Sequence, residues 1–254
     1  MIIQLSFTEK NYSLDLNKAL DISLPIRQGI NNNPSCYWAE PVKFETISSG
    51  DFIGSVQAGG NLNYQKLTIT PHGNGTHTEC YGHISADETA TIHQSLKHFH
   101  FFAEVISVAP EKTGIDDSVI MLSQIQERIK YPGVEAIVIR TLPNTDTKKT
   151  KQYSGSNPPY LEVAVIEYLV SRGVNHVLVD LPSIDREVDD GKLSGHHAFW
   201  KFPNDTRKQC TITELIYVNN LIPDGLYLLN LQITSLEMDA SPSKPVLYKL
   251  EEVL

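Results

Sequence analysis

The 254-residue chain is 41% hydrophobic and 20% charged, which allows a substantial core and gives no sign of disorder. Its net charge of -9, with no basic stripe, excludes the electrostatic footprint of a nucleic-acid binder. No apolar run is long enough to span a membrane, and the first residues lack a secretory pattern, so a cytoplasmic protein without a membrane partner is expected. Cys36, Cys80 and Cys210, scattered and odd in number, fit reduced thiols rather than a disulfide framework.

In chain order, apolar and β-branched patterning predicts strands over 2–7, 12–16, 42–47 and 62–70, separated by Asn, Gly and Pro clusters. Cys36-Tyr37-Trp38 follows the loop at Asn31-Asn32-Asn33-Pro34; Tyr37 and Trp38 are candidates for lining a substrate pocket, and with Trp200 they hint at an aromatic or flat ligand. Further on, strands are expected over 101–108 and 135–140, with a helix over 117–129 between them. The periodic stretch 161–172 reads as an amphipathic helix closed by Gly173, and a strand over 176–180 follows. Strands are expected again over 226–233 and 245–250. The mixed run 146–151 reads as a solvated loop, and His93, His98 and His100 as surface residues of a polar helical run. No linker divides the chain, so residues 1–254 are expected to form one α/β domain with a β-rich core and helices packed outside.

The chemistry concentrates in residues 71–83, where His72, His77 and His83 are interleaved with Glu79 and two glycines. On an extended segment, the i, i+2 relation points His77 and Glu79 to one face. Gly82 suggests a turn that returns His83 from another direction, and Gly73 and Gly75 let a tight loop bring His72 to the same point. Imidazole and carboxylate donors at this density point to a divalent metal, zinc or manganese. Cys80 reads as a small buried neighbour rather than a ligand. A second cluster, Ser194-Gly195-His196-His197 and then Glu214, supplies donors from distant elements. Adjacent helical residues diverge by about 100°, so only His196 or His197 faces an ion. Asp180 and Asp185 end a buried strand and are candidates for orienting ligating imidazoles.

These residues together resemble the cyclase-type metal-dependent hydrolase family, which includes bacterial kynurenine formamidase and isatin hydrolase. The family signature is H-x-G-T-H-x-D-x-P-x-H, and Gly75-Thr76-His77, Glu79 and His83 fall on it. The resemblance continues through 136–141, 179–185, His196-His197-Ala198-Phe199, Thr213-Glu214-Leu215 and 222–227. Three positions depart: Glu79 stands for Asp, Tyr81 for Pro, and one extra residue puts Gly73 where the first His belongs. The insertion between His196 and Glu214 is also longer than typical, and the chain reads as a divergent member.

The resemblance implies a swivelling β/β/α architecture, a homo-oligomer (dimer or tetramer), and hydrolysis of an amide or lactam-like bond at one or two divalent ions. It assigns metal binding to His72, His77, Glu79, His196 and Glu214, and catalysis to His83. The expected reaction cleaves a C–N bond of a small-molecule substrate, a formamide, amide or cyclic amide, by activated water. A lyase or lactone-forming enzyme using the same ion, or a catalytically silent binding member, is the alternative.

Overall fold

The computed structural model describes residues 1–114 and 116–253. Ile115 and Leu254, part of the expected single domain, lie outside the described residues. Seven strands hydrogen-bond in a ring: Gly225–Ile233, His100–Val108, Ala136–Thr141, His176–Val179, Thr211–Glu214, His77–Glu79 and Ala240–Lys249. The last strand pairs back onto the first, closing a barrel and leaving no free edge in the ring. Pairings among His100–Val108, Ala136–Thr141, His176–Val179 and Thr211–Glu214 are parallel, and the remainder are antiparallel.

Alternation along the strands builds two cores. Ala103, Val105, Ala136, Val138, Leu178 and Leu229 fill the lumen. Ile137, Ile139, Val177, Val179 and Ile212 face outward and pack beneath helices Val163–Ser171 and Ser194–Trp200 with Ile166, Phe199 and Trp200. The amphipathic stretch 161–172 thus folds as Val163–Ser171, and Gly173 takes the positive φ of 80° that its C-terminal turn requires. Both faces of the parallel strands are covered, which is why they read as continuous apolar runs.

Two expected elements differ. The helix expected over 117–129 begins only at Leu122, as Leu122–Arg128. Asp117–Ile120 is a strand, because Glu111–Thr113 and Tyr160–Leu161 flank its β-branched residues with a ladder. The strand expected over 62–70 shortens to Gln65–Thr68 and pairs with Lys43–Thr46 in a projecting arm, where Leu62, Tyr64 and Leu67 stay exposed.

Candidate metal centre

Strand His77–Glu79 lies between Thr211–Glu214 and Ala240–Lys249, with His77 opposite Glu214, and Glu79 opposite both Ile212 and Ala240. Thr78 points the other way, where its hydroxyl meets that of Thr213 at 2.8 Å. His77, Glu79 and Glu214 therefore stand on the outer wall of the barrel, facing the helix Ser194–Trp200 rather than the lumen. Gly75, at φ 151°, carries the chain into this strand. The Gly75 carbonyl accepts a 2.9 Å hydrogen bond from His77 Nδ1. That bond leaves Nε2 facing Glu214 Oε2 at 3.4 Å.

The helix brings the second donor set. Asp185 accepts from the backbone N–H groups of Gly195 at 2.7 Å and His196 at 3.1 Å, closing the first turn of the helix. The same carboxylate accepts from His196 Nδ1 at 2.6 Å, so His196 Nε2 reaches Glu79 Oε1 at 3.1 Å. A Cβ on Gly195 would come within 2.7 Å of Asp185 Oδ1, so only glycine allows this approach. His197 turns away, its Nδ1 3.3 Å from the Phe202 carbonyl.

A second tier sits nearer solvent. His72 places Nδ1 3.2 Å from Glu79 Oε2 and Nε2 2.8 Å from Asp239 Oδ2. His83 places Nδ1 3.2 Å from the same Asp239 oxygen and 3.9 Å from Glu79 Oε2. Asp239 escapes a reading of the sequence because 156 residues separate it from His83. Its one signal is an acid immediately before the barrel strand that pairs with His77–Glu79.

The buried tier fits a cation. Among the described residues, three buried side-chain atoms have no hydrogen-bond partner, and two of them, His77 Nε2 and Glu79 Oε2, face this centre. Burying such atoms without a partner costs roughly 1–3 kcal/mol each, a cost that coordination removes. Donor atoms of His72, His77 and Glu79 lie within 4.8 Å of one another, as do those of Glu79, His83 and His196, and those of His72, His83 and Asp239. Glu79 is common to the first two groups, and this mixed nitrogen–oxygen set suits a borderline divalent ion.

Proton affinities follow the same arrangement. Burial works against protonating His196, yet hydrogen bonds to Asp185 and Glu79 outweigh it and raise its pKa to about 10. His72 is buried too, and Asp239 and Glu79 raise it to about 10. Burial likewise opposes ionising Glu79, but the neighbouring His83 and the hydrogen bond from His196 hold its carboxyl well below the ordinary range. Hydrogen bonds from His72 and His83 lower Asp239. Two protonated imidazoles thus offset part of the carboxylate charge, in the positions where a divalent ion would take over that charge.

Other expected residues are placed as follows. Tyr37 lines a cavity of about 170 Å³ over the centre, together with His72, Glu79, His83, Ser183 and His196. Trp38 does not line it: the residue is 74% exposed, in a local turn that holds both aromatic residues at positive φ. Trp200 is buried beneath His196, with ring centroids 5.6 Å apart, and offers no substrate surface. Asp180 does not orient an imidazole. It accepts from Thr141 N and Oγ1 and from Lys148 Nζ at 2.8 Å, so the loop 146–151 sends Lys148 inward instead of leaving it solvated. Tyr81 packs in the outer core and leaves the cavity open, and Cys80 directs its sulfur at the Ala90 carbonyl. His98 and His100 are exposed, as expected, but His100 begins a barrel strand. A larger cavity of about 730 Å³ lies at the other end of the parallel strands, beside Glu135, Asn175 and Cys210. None of the converging donors reaches it.

A closed barrel bearing buried imidazoles and carboxylates around partnerless atoms has the make-up of a metal-dependent hydrolase centre. The chain belongs to the cyclase family: the profile described as "Putative cyclase" matches residues 20–186. It is 25% identical to a kynurenine formamidase of Bacillus anthracis, over 91% of this chain and 97% of that protein. A kynurenine formamidase of Bacillus cytotoxicus is 26% identical over the same shares of the two chains. The fold is similar to a predicted metal-dependent hydrolase from Bacillus stearothermophilus, with TM-score 0.64, 19% identity, and 91% and 98% of the two chains covered. It is similar as well to isatin hydrolase A from Ralstonia solanacearum, with TM-score 0.66, 14% identity and 91% of each chain covered. Such low identities fit a divergent member.

Proposed function

We propose that this chain is a metal-dependent hydrolase that cleaves the C–N bond of a small formamide, amide or cyclic amide. The observation that carries this reading is the pair of buried, partnerless atoms, His77 Nε2 and Glu79 Oε2, at the meeting point of donors from three chain segments. The names of the relatives, a formamidase and an isatin hydrolase, support an amide or lactam carbonyl as the target.

His72, His77 and Glu79 would hold one ion, and His196 and Glu214 a second beside Glu79; zinc or manganese suits these donors. A divalent ion there supplies Lewis acidity and lowers the pKa of water towards about 7. His83, half-buried at the cavity wall and fixed through Nδ1 by Asp239, keeps Nε2 for proton transfer. In this reading it accepts the attacking water's proton and returns it to the leaving nitrogen, one ring serving both directions. Tyr37 lines the same cavity as the imidazoles and would offer an aromatic face to a flat substrate. The exposed apolar residues Phe52, Ile53, Val56, Leu62, Tyr64 and Leu67 on the projecting arm support a homo-oligomer, which light scattering on eluting protein would size. Three buried, unpaired cysteines suit a reducing, cytoplasmic setting.

The test is turnover of a formamide, lactam and cyclic imide panel in ¹⁸O-water. Hydrolysis places label in the product carboxylate. Turnover without label would refute hydrolysis in favour of a lyase or cyclising reaction.

A further inference from the structure

We propose that Asp239 is a positioning residue that turns His72 so that Nδ1, not Nε2, faces the cation. This inference rests on the metal-dependent reading of the centre.

His77 and His196 share one arrangement. Each has Nδ1 held by an acceptor, the Gly75 carbonyl or the Asp185 carboxylate, and each directs Nε2 at a carboxylate of the centre. His72 is reversed: Asp239 takes Nε2 at 2.8 Å, and Nδ1 lies 3.2 Å from Glu79 Oε2. That glutamate oxygen is buried and has no hydrogen-bond partner, which marks the side from which a cation is approached.

The cause of the reversal lies in the backbone. His72 occupies the turn Pro71–Gly73, one residue before the signature position. That position is Gly73, where a Cβ would sit 2.2 Å from the Cβ of Ala39, so no imidazole fits there. A ring reaching from residue 72 arrives by a different path and presents the nitrogen nearer its own backbone. Asp239 is rigid enough to hold it, because the Asp239 carbonyl accepts from Cys80 N at 3.0 Å and the Met238 carbonyl from Ile92 N at 2.7 Å. The same Asp239 oxygen holds His83 Nδ1, so one carboxylate sets a ligand and the proton-transfer ring together. Carboxylates placed behind a ligating histidine in this way fix its orientation and raise its basicity.

The experiment is zinc titration of the full chain by calorimetry, with ¹⁵N-histidine spectra of the zinc-loaded protein that identify the metal-bound nitrogen of each ring. The expected result is Nδ1 coordination at His72 and Nε2 coordination at His77 and His196. Asp239→Ala should weaken zinc binding by about 10- to 100-fold, and Asp239→Asn, which keeps one acceptor, should fall between. A melting curve in chelator separates a folding defect from lost positioning, and the wild-type spectrum needs no variant. Nε2 coordination at His72, or wild-type zinc affinity in Asp239→Ala, overturns the proposal and leaves the metal centre standing. Failure of the wild type to take up zinc or manganese at all removes the metal reading itself, and this proposal with it.

Discussion

Replacing Glu79 by aspartate restores the residue of the family signature, and it should nevertheless damage this protein. Glu79 is laddered to Ile212 on one side and Ala240 on the other, so its backbone is held in place. Shortening the side chain withdraws the carboxylate by one carbon–carbon bond, about 1.5 Å. Its hydrogen bond to His196 at 3.1 Å would then open well beyond hydrogen-bonding range, and Oε2 would move away from His72, now 3.2 Å distant. A misplacement of this size costs roughly 100-fold in rate, or about 2.7 kcal/mol. Loss of one buried methylene adds only about 0.8 kcal/mol to the folding side. Glu79→Asp should therefore melt close to wild type while kcat/KM and zinc affinity both collapse, as read by calorimetry and by turnover of an N-formyl arylamine. Wild-type turnover in this variant would refute the reasoning, because it would mean that the strand yields or that Glu79 is not the fixed bridge between the two donor sets.

His83→Ala should keep its metal content, measured by elemental analysis, and lose about 100- to 10,000-fold in turnover, the usual worth of general acid–base catalysis. Both His72 and His196 are raised from 6.5 to about 10 in the folded protein, so the stability they lend the metal-free chain is complete below about 6.5 and is lost as pH rises through about 10. Zinc must displace both of those protons, so binding should weaken as pH falls, and calorimetry in buffers of different ionisation enthalpy should count two protons released, one from each ring. His176, stacked on Phe101 at the far end of the barrel, has the opposite sign: burial and then Arg207 push its pKa down to about 3. The unfolded chain binds that proton first, so stability should decline as pH falls from about 6.5 towards about 3, and His176→Phe should flatten the decline in acid melting curves.

The donors within residues 71–83 are readable from sequence because strand alternation alone puts His77 and Glu79 on one face, and the ladder bears this geometry out. His196 is readable from its glycine-led helix start, and Asp185 from the buried strand before it, though that Asp185 closes the helix and holds the ring at once depends on geometry. Asp239 is not readable, since nothing local distinguishes it from other acids until the barrel closes and sets Ala240 beside Glu79. Asp180 misleads for the complementary reason. An acid at a strand end suits both a metal neighbour and a lysine clamp, and only the inward reach of Lys148 decides between them. The apolar alternation over 62–70 signals a strand correctly, but the pattern cannot say that the apolar face lies on a projecting arm outside the core.

The central claim is that His72, His77, Glu79, His196 and Glu214, brought together by barrel closure, one tight turn and one short helix, would hold one or two divalent cations. The most direct measurement is elemental analysis of protein prepared without chelator and then reconstituted with zinc or manganese, alongside His77→Ala and Glu79→Gln. The account predicts stoichiometric metal in the wild type and its loss in both variants, with their folds retained in circular dichroism. A wild-type protein that retains neither ion under any condition, or variants that retain it fully, would contradict the account.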